Sequence, residues 1–152
     1  MNIFILDANV VDSARFHNDK HVVKMVLETA QILCSTFEKG EAPYRRTHYN
    51  HPCSKWARES RENYEWLLNF GDALSKEYSK RFGKIHKSSL VINWCRDNID
   101  KIELPSKELT KFALAMPEEY RTNCTVTSYR NYYMGEKRSI AKWKCEQPWW
   151  WK

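Results

Sequence analysis

The sequence predicts an all-α fold: one compact domain over residues 1–152, of about four helices, with an irregular N-terminal lead-in. Two observations predict it. Apolar residues recur at three- and four-residue steps over long windows, the period of one helix face. No window shows the strict apolar–polar alternation of a half-buried strand. A chain of 152 residues is also long enough to bury a core of its own.

The elements follow in order. "MNIFILD" reads as a short extended or irregular lead-in. A first helix starts near Asp12 or Asp19, either of which can accept from the free N–H groups of a first turn. It runs to about Phe37, ahead of Gly40 and Pro43. Val23, Val26, Ala30, Leu33 and Phe37 are expected to share its buried face. "GEAPYRRTHYNHP" is a basic loop. Pro52 suits the first position of a second helix, where its missing N–H has no partner to lose. There Cys53, Trp56, Ala57, Tyr64, Leu67, Leu68, Gly71, Leu74 and Tyr78 keep helical period to about Phe82. The basic, serine-bearing "GKIHKSS" leads into a shorter helix over Ser88–Ile99. "LPSKELTKFALAMPEEYR" is irregular with one short helical turn, interrupted by Pro105 and Pro117. A final helix over Thr127–Trp143 precedes the tail "CEQPWWWK". On its face Tyr129, Tyr133 and Lys137 fall at four-residue steps, lining core first and DNA second.

Composition narrows the function. The net charge is +6, and aromatic residues make up 14% of the chain, with seven tryptophans and eight tyrosines. Positive charge interleaved with rings suits nucleic acid, whose phosphates take the charge and whose unstacked bases take the rings. Only four glycines are present, and no glycine-rich phosphate loop is among the motifs. The five cysteines are scattered without a CxxC pair, the pattern of free thiols in a reducing compartment. No apolar run approaches the roughly 20 residues of a membrane span, and "MNIFILDANV" has no basic leader. These features lead us to expect a cytoplasmic protein with no membrane partner.

The stretch "HNDKHVVKMVLE" concentrates chemistry. On a continuous helix, positions 17, 21, 24, 28 and 31 stack in one sector, bringing His17, His21, Lys24, Glu28 and Gln31 together opposite the valine stripe. Three readings of that sector are open. It can be a solvated polar face. His17 and His21, four residues apart, can share a divalent ion, but the third ligand of a typical site is missing, so no metal is expected. Or the carboxylate of Glu28 can stabilise a cationic sugar, as base excision requires, with cations beside it to hold phosphate.

Three segments then resemble, in order, the pyrimidine-dimer DNA glycosylase family, of the phage endonuclease V-like type: "DKHVVKMVLETAQIL", "HPCSKWARESRENYEWLLNFGDALSKEYSKRFG" and "MPEEYR…EKRSIAKWKCEQPWWW". The chain looks closer still to small phage proteins carrying a "DKHVVKM…E" pattern. The resemblance implies a compact helical fold with the N-terminus lying across the site. It implies that Glu28 is the catalytic acid, that His21, seven residues earlier, supports the site, and that the α-amino group of the first residue, here Met1, attacks the sugar carbon. The implied activity is DNA N-glycosylase with AP-lyase action on damaged or modified pyrimidines. It needs no cofactor and works on a kinked duplex with one nucleotide flipped out. Arginines of the family pattern are replaced here by Ile3, Leu27 and Gln31. Lys20, Lys24, Arg45, Arg46 and Lys137, with His48 and His51 in the basic loop, are expected to grip DNA instead. The expected partner is double-stranded DNA, engaged by a monomer. A non-enzymatic phage protein of the same fold, binding nucleic acid or a nucleotide in counter-defence, is the alternative.

Overall fold

The computed structural model describes residues 1–152 and is entirely helical apart from loops and one isolated bridge between Ser60 and Ser106. It contains six α-helices and three short 3-10 turns rather than about four helices. The helices are α1 (Val10–Phe16), α2 (Asp19–Cys34), α3 (Pro52–Ala57), α4 (Arg61–Phe82), α5 (Ser88–Asp97) and α6 (Thr125–Glu136).

The additional helices come from two breaks. The expected first helix is divided at His17 and Asn18, both with extended backbone. The caps are asparagines, not the aspartates the sequence suggested. Asn9 accepts from Val11 and Asp12, and Asn18 accepts from the His21 N–H. The expected second helix is divided before Ser60, whose hydroxyl accepts from the Asn63 N–H to start α4. At the other end of α4, Gly83 takes the left-handed conformation that closes a helix (φ 68°). The C-terminal helix starts at Thr125 and stops at Glu136, short of Trp143, and one 3-10 turn follows over Arg138–Ile140.

Packing α4 against α1 and α2, with α5 across them, forms one core of 27 buried residues running from Ile3 to Trp150. The lead-in itself contributes Ile3, Phe4, Ile5 and Leu6, all nearly inaccessible. Helix α2 is consequently wrapped on most sides. Val26, Ala30, Leu33 and Phe37 are buried as expected, but Val23 is 41% exposed. It belongs instead to a narrow solvent stripe with Lys20, Lys24 and Leu27. Of the sector expected to be polar, His21 and Glu28 are buried beneath the lead-in.

A buried ion network fixes the α1–α2 corner. The Arg81 guanidinium donates to the carbonyls of Arg15 (2.9 Å) and His17 (2.7 Å), to Asp19 (3.2 Å) and to Glu77 (2.8 Å). It thereby satisfies the carbonyls left free where α1 ends. No helix is long and apolar enough to cross a membrane.

Candidate active site

The lead-in has no helix or strand to hold it, so side chains do. The Asn2 carboxamide oxygen accepts from the Ile3 N–H (2.7 Å) and the Phe4 N–H (3.2 Å), and its amide nitrogen donates to the Ala115 carbonyl (2.8 Å). Such a local turn is a standard use of asparagine. Phe4 is left-handed (φ 58°), which in a bulky residue costs on the order of 1–3 kcal/mol and persists only where surroundings impose it. The surroundings are aromatic: its ring lies against those of His21 (4.7 Å between centroids), Tyr132 (5.9 Å) and Tyr133 (5.6 Å).

This folding-over points the α-amino group of Met1 at Glu28. The nitrogen lies 3.5 Å from the Glu28 Oε1, and the glutamate side chain is only 12% exposed. Cys53, close by on α3, has its thiol pushed up to about 12 by burial, so it stays protonated, and its Sγ sits 3.9 Å from the Asn2 oxygen.

His21 lies further along the lead-in, against Phe4. Its Nδ1 is 2.8 Å from the Tyr133 hydroxyl, which also accepts the Asn18 N–H (3.1 Å). Burial, followed by the positive potential of His17, Lys137 and Lys24, holds the imidazole down to about 3, so it is neutral at physiological pH. His17 is fully enclosed and held down to about 4, chiefly by burial. Its Nδ1 donates to the Ser13 carbonyl at 2.6 Å. It lies in the corner between α1 and α2 rather than on the α2 sector. The two imidazole rings are 6.3 Å apart with each Nδ1 turned to its own partner, and no three His, Cys, Asp or Glu side chains converge in ligating geometry.

The expected DNA contacts divide into two groups. Lys20 and Lys24 are exposed on the α2 stripe, and Lys137 stands over the rings of Phe4 (5.7 Å) and Tyr132 (5.1 Å), beside the buried His21. Arg45 is exposed and lines a groove of about 650 Å³ together with Leu27, Gln31 and Tyr44. Arg46 lines the same groove with its Nε unpartnered, but is also tied to the fold: it donates to the Phe37 carbonyl at 2.6 Å and lies over the Tyr49 ring at 4.3 Å. His48 is exposed at a positive φ of 49°, paired with Thr47. His51 caps α3 through Nδ1, and burial, then the nearby N-terminal charge and His48, hold it below its ordinary range.

The spacing of Tyr129, Tyr133 and Lys137 puts Tyr133 on a core-lining face, where it is, but carries no sign of its contact with His21. Nor does any local pattern mark the Asn2 anchor, which depends on a carbonyl 113 residues away.

Comparison with known proteins adds one finding: the sequence model of the pyrimidine dimer DNA glycosylase family matches residues 1–90. That span includes Met1, His21, Glu28 and the whole basic loop, and stops before α6. No curated protein and no solved structure matches the chain.

Proposed function

The chain belongs to the pyrimidine dimer DNA glycosylase family, and on that premise we propose that it excises damaged or modified pyrimidines from duplex DNA, with the Met1 amine as nucleophile and Glu28 as the catalytic carboxylate. The observation that carries this reading is the 3.5 Å approach of the Met1 nitrogen to a largely buried Glu28. An amine attacks only as its free base, and a carboxylate at this distance can take the proton that the nitrogen sheds after it has bonded to the sugar, remaining charged until then. The nitrogen then bonds to the sugar C1′ as the bond from C1′ to the base breaks and the base leaves with its electron pair. Negative charge on Glu28 favours the cationic character that develops at the sugar. Opening of the sugar ring leaves an imine between Met1 and C1′. Loss of a proton from C2′ then expels the 3′ phosphate, which is the lyase step. Lys20, Lys24, Arg45 and Lys137 are assigned to the phosphates around the flipped nucleotide.

Borohydride reduction tests the reading directly, because it converts an imine into a stable cross-link. Wild-type protein on ultraviolet-irradiated duplex should give a covalent adduct that maps to the Met1 peptide. Glu28→Gln keeps size and hydrogen bonding but not charge, and should slow single-turnover base release by about a hundredfold or more with DNA affinity retained. Cleavage by Glu28→Gln at the wild-type rate removes Glu28 from the chemistry. Wild-type protein that binds DNA but neither cleaves nor traps points to a binding module instead.

A further inference from the structure

We infer that Tyr133 is a positioning residue that locks His21 as the neutral Nε2–H tautomer, so that His21 meets the substrate as a hydrogen-bond donor to an oxygen, neither as a cation nor as a base. This rests on the glycosylase reading for the identity of the substrate, while the tautomer stands on the geometry alone.

Following the protons along the chain of contacts gives the result. A backbone N–H can only donate, so the Tyr133 oxygen accepts from Asn18 at 3.1 Å. The phenolic hydrogen is then free, and the one acceptor within reach is His21 Nδ1 at 2.8 Å. The opposite arrangement, with Nδ1–H donating to the tyrosine, would leave the phenolic hydrogen unpartnered on a side chain with no solvent exposure, which is costly. Nδ1 is therefore the acceptor and Nε2 carries the hydrogen. The ring has little freedom to turn away, with Phe4 against it at 4.7 Å and Tyr133 at 5.2 Å. His21 Nε2 makes no hydrogen bond within the chain, yet it is not one of the buried unpartnered atoms, as the Nε2 of His17 is. It is the ring nitrogen left to meet a ligand.

Burial first, then the charged groups around this ring, keep it neutral. His17 faces it from the corner after α1 as another buried neutral imidazole, and the charges of Lys24 on α2 and Lys137 just past the end of α6 oppose a positive charge on the ring. The substrate groups that match an uncharged N–H are oxygen acceptors: the sugar ring oxygen, a pyrimidine carbonyl or a phosphate oxygen. Phosphate alone would suit a lysine better, so the sugar and base oxygens are the assigned class.

Nitrogen-15 spectra of the histidine-labelled full-length protein read the tautomer without any assay of activity. At pH 7 the His21 signals should show a bare Nδ1 and a protonated Nε2, and Tyr133→Phe should convert them to a mixture of both tautomers. In single-turnover excision, Tyr133→Phe should lower the rate about tenfold with substrate affinity little changed. His21→Gln, whose amide can present an N–H close to where Nε2 was, should keep far more activity than His21→Ala, with no acid limb attributable to this position. A protonated Nδ1 in the wild type, an imidazolium at pH 7, or a tautomer unmoved by Tyr133→Phe overturns the inference. So does His21→Gln as inactive as His21→Ala with its fold intact. A protein showing the expected tautomer but no excision would refute the glycosylase reading and leave the Tyr133–His21 assignment standing.

Discussion

His17 and His21 are buried neutral imidazoles, and that choice of protonation state has a measurable consequence. Both are held well below the ordinary 6.5, His17 at about 4 and His21 at about 3. Between these values and pH 6.5 the unfolded chain binds protons that the folded chain refuses, so stability rises with pH there. The full contribution is present above about pH 6.5 and is lost as the pH falls through that window. Each tenfold weakening of proton affinity is worth about 1.4 kcal/mol, so His17 alone accounts for roughly 3 kcal/mol. Urea unfolding between pH 7.5 and 4.5 should therefore show a slope approaching two protons. His17→Asn can still donate to the Ser13 carbonyl but cannot titrate, and should remove about one of them. An unchanged slope would place the acid sensitivity elsewhere. At this scale the spacing marks part of the candidate site: the seven-residue step on one helix brings His21 and Glu28 to one side, whereas Met1 enters only through the family resemblance. Tyr133 and Asn2 were not assigned to the site, because each acts through a partner more than 110 residues away.

At the scale of elements, the α1–α2 corner matters most, since it sets the entry angle of the helix that carries His21 and Glu28. Arg81 holds that corner from α4, with its side chain 1% exposed and four acceptors around it. Arg81→Met removes the cation and leaves Glu77, Asp19 and two carbonyls facing each other. Breaking a buried pair in this way typically costs about 3–5 kcal/mol. We expect a comparable drop in unfolding free energy, accompanied by a fall in excision rate in whatever fraction stays folded. A loss below about 1 kcal/mol would mean that the network is dispensable. The corner was hidden in the sequence because helical period continues through it, and the Asn9 and Asn18 caps lie beside the equally plausible Asp12 and Asp19. The break at Ser60 was hidden likewise, since Trp56, Ala57 and Tyr64 fall in register as if one helix ran throughout. Periodicity records which residues face the core, and two helices meeting at a corner can share one such record.

For the whole molecule, the +6 charge is spread unevenly in its usefulness. Both arginines line the groove beside Leu27 and Gln31, but Arg46 also donates to the Phe37 carbonyl and lies over Tyr49, whereas Arg45 makes no hydrogen bond or ion pair within the chain. The two neighbours should therefore fail differently. Arg45→Ala should reduce the salt dependence of DNA binding by about one unit in the log–log slope, with no change in melting temperature. Arg46→Ala should lower the melting temperature and leave the slope nearly unchanged. Equal slope changes in both variants would show that the loop rearranges to present both arginines.

The lead-in that folds over α2 also links function to the order in which the chain is synthesised. The amine proposed as the nucleophile belongs to residue 1, while the carbonyl that anchors Asn2 belongs to residue 115 and the hydroxyl bonded to His21 to residue 133. A chain of ninety residues already holds the amine, Glu28 and the Ser13 and Cys53 contacts of the lead-in, but lacks the Ala115 and Tyr133 contacts. The full set of contacts around the site forms only once α6 has emerged and packed. Unfinished chains thus carry the proposed nucleophile and carboxylate without the two most distant supports of the lead-in and His21.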